Sequence, residues 1–194
     1  MIRLGHFNVV LDACVLYDSV MRDFLLCLAE KELYRPIWSK EICKEVEKNL
    51  VQRIEYSKAQ KIVNAINQAF PEAMDLNKSE NIDFKNTSID PKDRHIVSTA
   101  ICSDSQVILT HNIKHFPQED LKQFSIEAQT PDEFLVNILN LSYKKVLKIF
   151  EEMEGKYTNP VVPREVLLQR MKARAPKFTS MIIPYLDGSI TRIY

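Results

Sequence analysis

Three acids in this chain stand at positions where a carboxylate has chemical consequences. Asp12 follows the apolar run "VVL" and is followed by "ACVLY". No Gly, Pro or Asn is there to make a turn, so its carboxylate falls inside an apolar stretch. A half-buried carboxylate is costly unless it is paired or bound to a cation. Asp93, in "SIDPKDRHIVSTAI", precedes Ile96 and Val97, which head a helical stripe continued by Ala100 and Ile101. That spacing sets Asp93 at the rim of a buried face. A plainer account also covers this segment: Asp90 as N-cap, Pro91 at the first helical position and Asp93 reaching back from the third. Glu45 lies in "WSKEICKEVEKNL", where Glu41 and Glu45 share the flank of the stripe Ile42, Val46, Leu50. With Lys40, Lys44 and Lys48 interleaved, the simplest account of these glutamates is a solvated helix face.

Downstream, "VILTHNIKHF" ends a strand at Thr110 and offers Thr110 and Asn112 as oxygen donors. If Asp12 and Thr110 both stand at carboxyl ends of parallel strands, they share the sheet edge where ligands bind. Oxygens gathered there would suit a hard divalent cation that keeps several waters. His111 and His115 read as surface-loop histidines and His95 as peripheral.

These positions need a scaffold, and the hydrophobic pattern supplies one. "FNVVLDACVL" begins with a nearly continuous apolar run, as in a strand covered on both faces. "SVMRDFLLCLAEKEL" has helical spacing, and "YRPIWS" is short and extended. Ser39 stands to cap the helix that carries Glu45. "SKAQKIVNAINQAF" is amphipathic and is stopped by Pro71, and "NKSENIDFKNTS" reads as loop. Beyond "SQVILTHN" comes a polar turn, then "SIEAQ" as a last strand and a helix capped at Thr130 or Asp132. Strands separated by helices predict an α/β fold, a parallel sheet sandwiched by helices. We assign it residues 1–137. Residues 138–194 form a helical extension of two or three helices, too small to build much of a core alone, which should pack on the first domain or on a partner.

The bulk composition narrows the function. The chain has 194 residues, 45% of them hydrophobic, enough for one core. Apolar runs stay below membrane length and the N-terminus lacks signal-peptide features, so the expectation is a soluble, cytoplasmic protein without membrane association. Cys14, Cys27, Cys43 and Cys102 form no CxxC pair, which argues for buried thiols over zinc or disulfides. The 26 basic and 26 acidic residues cancel, so no global field draws nucleic acid. Arg164, Arg170, Lys172, Arg174 and Lys177 make a local basic cluster, either a solvated face or an RNA contact.

In order, "VVLDACVLY", "IWSKEICKEVEKNL", "DPKDRHIVSTAI", "VILTHNIKHFP" and "TPDEFL" resemble the blocks of the PIN-domain ribonucleases, in particular the VapC-type toxins of toxin–antitoxin systems. The resemblance covers roughly residues 7 to 137, and the C-terminal helices look like the accessory tail of longer members. It implies a parallel sheet flanked by helices, with acids that bind Mg²⁺ or Mn²⁺ and cleave RNA. By motif, Asp12, Glu45 and Asp93 correspond to the metal-binding acids, which resolves Glu45 from Glu41. Asp90 is the extra acid of the "DPxD" version, a cap or an outer residue. Thr110 and Asn112 would position water or phosphate. His115 departs from the pattern by standing where the family often has an aspartate. It cannot supply a carboxylate's charge, which bears on a second metal position. The resemblance further implies an RNA substrate (transfer or ribosomal RNA being the candidates), a cognate antitoxin docking on the C-terminal helices or the apolar "MIIPYL", and a homodimer. The competing expectation is a PIN-like module that binds RNA or protein without cutting.

Overall fold

A computed structural model describes residues 7–74 and 82–189. Parts of the N-terminal segment, the "NKSENIDFKNTS" loop and the C-terminal tail therefore lie outside the described residues. The expected parallel α/β architecture is present. Strands β1 (Asn8–Leu11), β2 (Arg35–Ile37), β3 (Val107–Leu109) and β4 (Glu127–Gln129) form one sheet of order β2-β1-β3-β4, every pair parallel. Val9, Val10 and Leu11 are completely buried, as a β-branched central strand covered on both faces requires. The extended "YRPIWS" segment supplies the edge strand β2.

Chain compactness divides the protein into two units. The first holds β1, the short helix α1 (Ala13–Leu16) and residues Tyr34–Thr130. Ser39 caps α3 (Lys40–Val51) as expected, accepting from the amide of Ile42 at 3.3 Å, and Ile42, Val46 and Leu50 form its buried stripe. Helix α4 (Tyr56–Ala69) packs on α3 and ends just before Pro71. Buried Trp38 donates from Nε1 to Asn67 Oδ1 at 2.8 Å, tying the end of β2 to α4. Helix α5 (Arg94–Cys102) lies against the central strands with Ile96, Val97 and Ala100 buried. A 3₁₀ turn at Ile113–His115 and α6 (Gln118–Lys122) occupy the expected polar turn.

The second unit contains α2 (Ser19–Glu30), α7 (Pro131–Glu154, interrupted at Ser142), α8 (Arg164–Lys172) and α9 (Pro176–Leu186). Position 137 falls inside α7, and α2 groups with the C-terminal helices although β1 and β2 flank it in sequence. Phe24 of α2 meets Phe150 of α7 and Phe178 of α9 at centroid distances of 5.9 and 5.5 Å. The apolar face of α2 thus supplies the core that the C-terminal helices lack alone. Asp132, an expected cap of its own helix, accepts instead from the amides of Lys177 and Phe178 at 3.2 and 2.8 Å. Those are orphan donors at the start of α9, whose cap position is an alanine without a side-chain acceptor. No helix among the described residues is long and apolar enough to cross a membrane.

Candidate metal centre

The strand order places the site. From β1 the chain reaches β2 on one side, while β3 lies on the other, so the strand order reverses between β1 and β3. Ligands of open parallel sheets bind outside the carboxyl ends at such a reversal. Leu11 and Leu109 are register partners, so the next residues, Asp12 and Thr110, emerge side by side at that edge. The amide of Asp12 donates to Leu109 O at 3.1 Å, which continues the ladder by one bond.

Asp12 is 5% exposed and caps α1, an unusually well-supplied position for a buried acid. Its Oδ2 accepts from Thr110 Oγ1 at 2.5 Å and from Cys14 Sγ at 3.0 Å, and the Cys14 amide reaches Oδ1 at 3.4 Å. Thr110, expected to orient water or phosphate, is completely buried, and its hydroxyl is spent on Asp12. Asn112 is exposed; its amide donates to Thr110 Oγ1 at 3.0 Å. Its carboxamide makes no hydrogen bond among the described residues.

Asp93 stands at the cap position of α5 but makes no capping bond with its side chain. The expected helix start at Asp90 and Pro91 is displaced: residues 91–93 form a turn, and Asp90 Oδ1 accepts from the Lys92 amide at 3.0 Å. Asp90 therefore stabilises the turn, and the Asp93 carboxylate is left to face the loop after β3. There His115 Nδ1 donates to Asp93 Oδ2 at 2.8 Å. Asp90, Asp93 and His115 bring one ligand atom each within 4.8 Å of one another, so His115 is more than a loop histidine.

Glu45 projects from α3 with its side chain 43% exposed. Burial holds its carboxyl above the ordinary glutamate range. His95 works against that shift, while the negative charges of Asp12 and Asp93 add to it. Glu45 thus lies close enough to feel the charges of both Asp12 and Asp93. His95 is not peripheral: its Nδ1 donates to Lys92 O at 2.8 Å and its Nε2 lies 3.5 Å from Glu45 Oε1. The second contact lacks hydrogen-bond alignment and is an ion pair only with a protonated imidazole.

The donor set fits a hard divalent cation: Asp12 offers a carboxylate at the sheet edge, Asp93 lies with Asp90 and His115 within 4.8 Å of one another, and Glu45 feels the charges of both Asp12 and Asp93. Two further participants escaped the sequence reading. The four cysteines, expected as buried thiols, are free but only half-buried, and Cys14 has a partner because an acid that caps a helical turn has the second helical residue beside its carboxylate. His95 carries no local signal, because its partner lies 50 positions away on another helix.

Comparison with known proteins gives the family. A PIN domain matches residues 8–114, over half of the chain, and a VapC50 C-terminal domain matches residues 131–182. The first match contains Asp12, Glu45, Asp93, Thr110 and Asn112. A curated protein of Mycobacterium tuberculosis (strain ATCC 25618 / H37Rv), "Putative ribonuclease VapC50", is 34% identical over 89 residues, 46% of this chain and 53% of that protein. The chain spans about half the length of that relative. No solved structure matches it.

Proposed function

This chain belongs to the PIN-domain family, and we propose that it is a metal-dependent endoribonuclease of the VapC type, the toxin of a toxin–antitoxin pair. The observation that supports this reading is that Asp12 emerges at the carboxyl ends of β1 and β3 while Glu45 feels the charges of both Asp12 and Asp93. Like charges gathered on a rigid sheet edge are costly unless a cation compensates them.

In this reading Asp12, Glu45 and Asp93 hold Mg²⁺ or Mn²⁺, directly or through water. The bound ion would supply an activated water for in-line attack on a phosphodiester and neutralise charge at phosphorus. Thr110 holds the Asp12 carboxylate in place, and exposed Asn112 offers its carboxamide to phosphate or water. The substrate is RNA, transfer or ribosomal RNA being the structured candidates, met in the cytoplasm. The helices matched by the VapC50 C-terminal domain form the accessory part, with an antitoxin or a second copy of the chain as partner. The test is cleavage of structured RNA by the purified chain in Mg²⁺ or Mn²⁺ and in EDTA. Equal cleavage in both, or none in either, would sink the proposal.

One observation favours a second reading. His115 already occupies Asp93, which weakens the site's net negative charge if the imidazole carries a proton. A module that binds RNA or protein without cutting would then be the outcome. Calorimetric titration with Mn²⁺ separates the two, because the binding module requires no metal uptake.

A further inference from the structure

Cys14 takes part in none of the steps above, yet its sulfur is a crossing point between the two central strand ends. Sγ donates to Asp12 Oδ2 at 3.0 Å, accepts from the His111 amide at 3.2 Å and lies 3.5 Å from Thr110 Oγ1. The directions of these bonds are forced. A backbone amide only donates, so sulfur is the acceptor toward His111. A carboxylate only accepts, so Asp12 draws its hydrogens from Thr110 and Cys14. The single Thr110 hydrogen goes to Asp12 at 2.5 Å while its oxygen accepts from the Asn112 amide at 3.0 Å. The thiol hydrogen is therefore left for Asp12 Oδ2.

The two oxygens of Asp12 are consequently unequal. Oδ2 carries both side-chain donors, whereas among the described residues Oδ1 meets only the Cys14 amide, at a long 3.4 Å. We propose that Cys14 is a positioning residue: with Thr110 it loads Oδ2 of Asp12 and turns Oδ1 toward the cation. This rests on the reading that Asp12 holds a metal. The loop after β3 in turn orients both donors, because the amides of His111 and Asn112 grip the sulfur and the hydroxyl respectively.

The alternative is a small apolar filler, the ordinary role of a buried cysteine. The two accounts part on conservative replacement. Cys14→Ser keeps an O–H donor of similar reach, while Cys14→Ala keeps the space apolar and removes the donor. Mn²⁺ titration of the full chain by calorimetry reads the difference, with metal-free melting curves of each variant as a fold control. For a positioning role, Cys14→Ala binds Mn²⁺ about 10-fold more weakly, the usual cost of losing an outer-shell partner. Cys14→Ser stays within about 3-fold of wild type on the same scale. Alanine binding as tightly as wild type, or serine binding as weakly as alanine, overturns the proposal.

If wild type and Asp12→Asn take up Mn²⁺ equally, the metal reading fails and the Cys14 assignment is read separately. The infrared S–H stretch, assigned to Cys14 by its loss in Cys14→Ser, shifts in Asp12→Asn if the thiol donates to the carboxylate. An unmoved band overturns the assignment, and this measurement also serves if Cys14→Ala does not fold.

Discussion

His115 Nδ1 lies 2.8 Å from Asp93 Oδ2, so one acid of the candidate centre is already held by an imidazole. The pair joins the loop after β3 to the turn before α5, 22 residues apart in sequence. Glu45 has a looser counterpart in His95, at 3.5 Å.

Replacing that imidazole by a carboxylate should strengthen the cation site, since affinity of oxygen sites follows the charge of their ligands. His115→Asp is expected to bind Mg²⁺ about 10-fold tighter than wild type in a calorimetric titration. An affinity unchanged or lowered would place position 115 outside the reach of the ion.

Asp12→Asn and Asp93→Asn keep shape and remove charge. Each should lower RNA cleavage by at least about 100-fold, more than an outer-shell partner costs. Gel assays at saturating Mn²⁺ check this. Rates equal to wild type would show that the chemistry lies elsewhere.

Glu45 is an acid whose folded-state pKa is raised, chiefly by burial. Folding then favours its protonated form. That contribution is present below the ordinary glutamate range and is lost as pH rises through the raised folded value. Glu45→Gln removes the cost of the ionised group, so in EDTA the variant should melt above wild type at neutral pH. The advantage should vanish towards about pH 4, where wild type is itself protonated. The side chain is 43% exposed, so solvent screening keeps the gain small. Thermal melts across pH, paired with weakened Mn²⁺ binding, are the check; a lower melting point at neutral pH contradicts it.

The basic cluster of the second unit divides by role. Arg164 donates from Nε and Nη2 to Glu154 at 2.6–3.0 Å and from Nη1 to Leu186 O at 3.1 Å. Arg164→Ala should cost about 2 kcal/mol, read by urea denaturation. Arg170 and Lys172 are exposed, and alanine there should leave stability unchanged. If they touch phosphate, each replacement lowers the salt dependence of RNA binding by about one unit of slope. No change in slope returns them to the solvated face.

Much of the fold was legible because periodicity is local. The apolar run at Val9–Leu11, the cap at Ser39, the stripe Ile42, Val46, Leu50 and the stop at Pro71 each express a preference within a few residues. The allocation of α2 was not legible. Its apolar face matches any helical partner, and only packing of Phe24 with Phe150 and Phe178 assigns it to the C-terminal helices. The start of α5 was also misplaced, since "DPKD" satisfies the rules for a cap and for a turn equally well.

By itself the sequence determined that Asp12 ends a buried strand and that Asp93 borders a buried stripe; the order of its motifs singled out Glu45. Tertiary structure decided what each acid meets. Asp12 finds Thr110 across 98 residues and Asp93 finds His115 across 22, while Glu45 faces His95 from another helix. Side-chain spacing along one element sets the face on which a residue lies. The partner on that face is set by strand order and loop path, which no local pattern encodes.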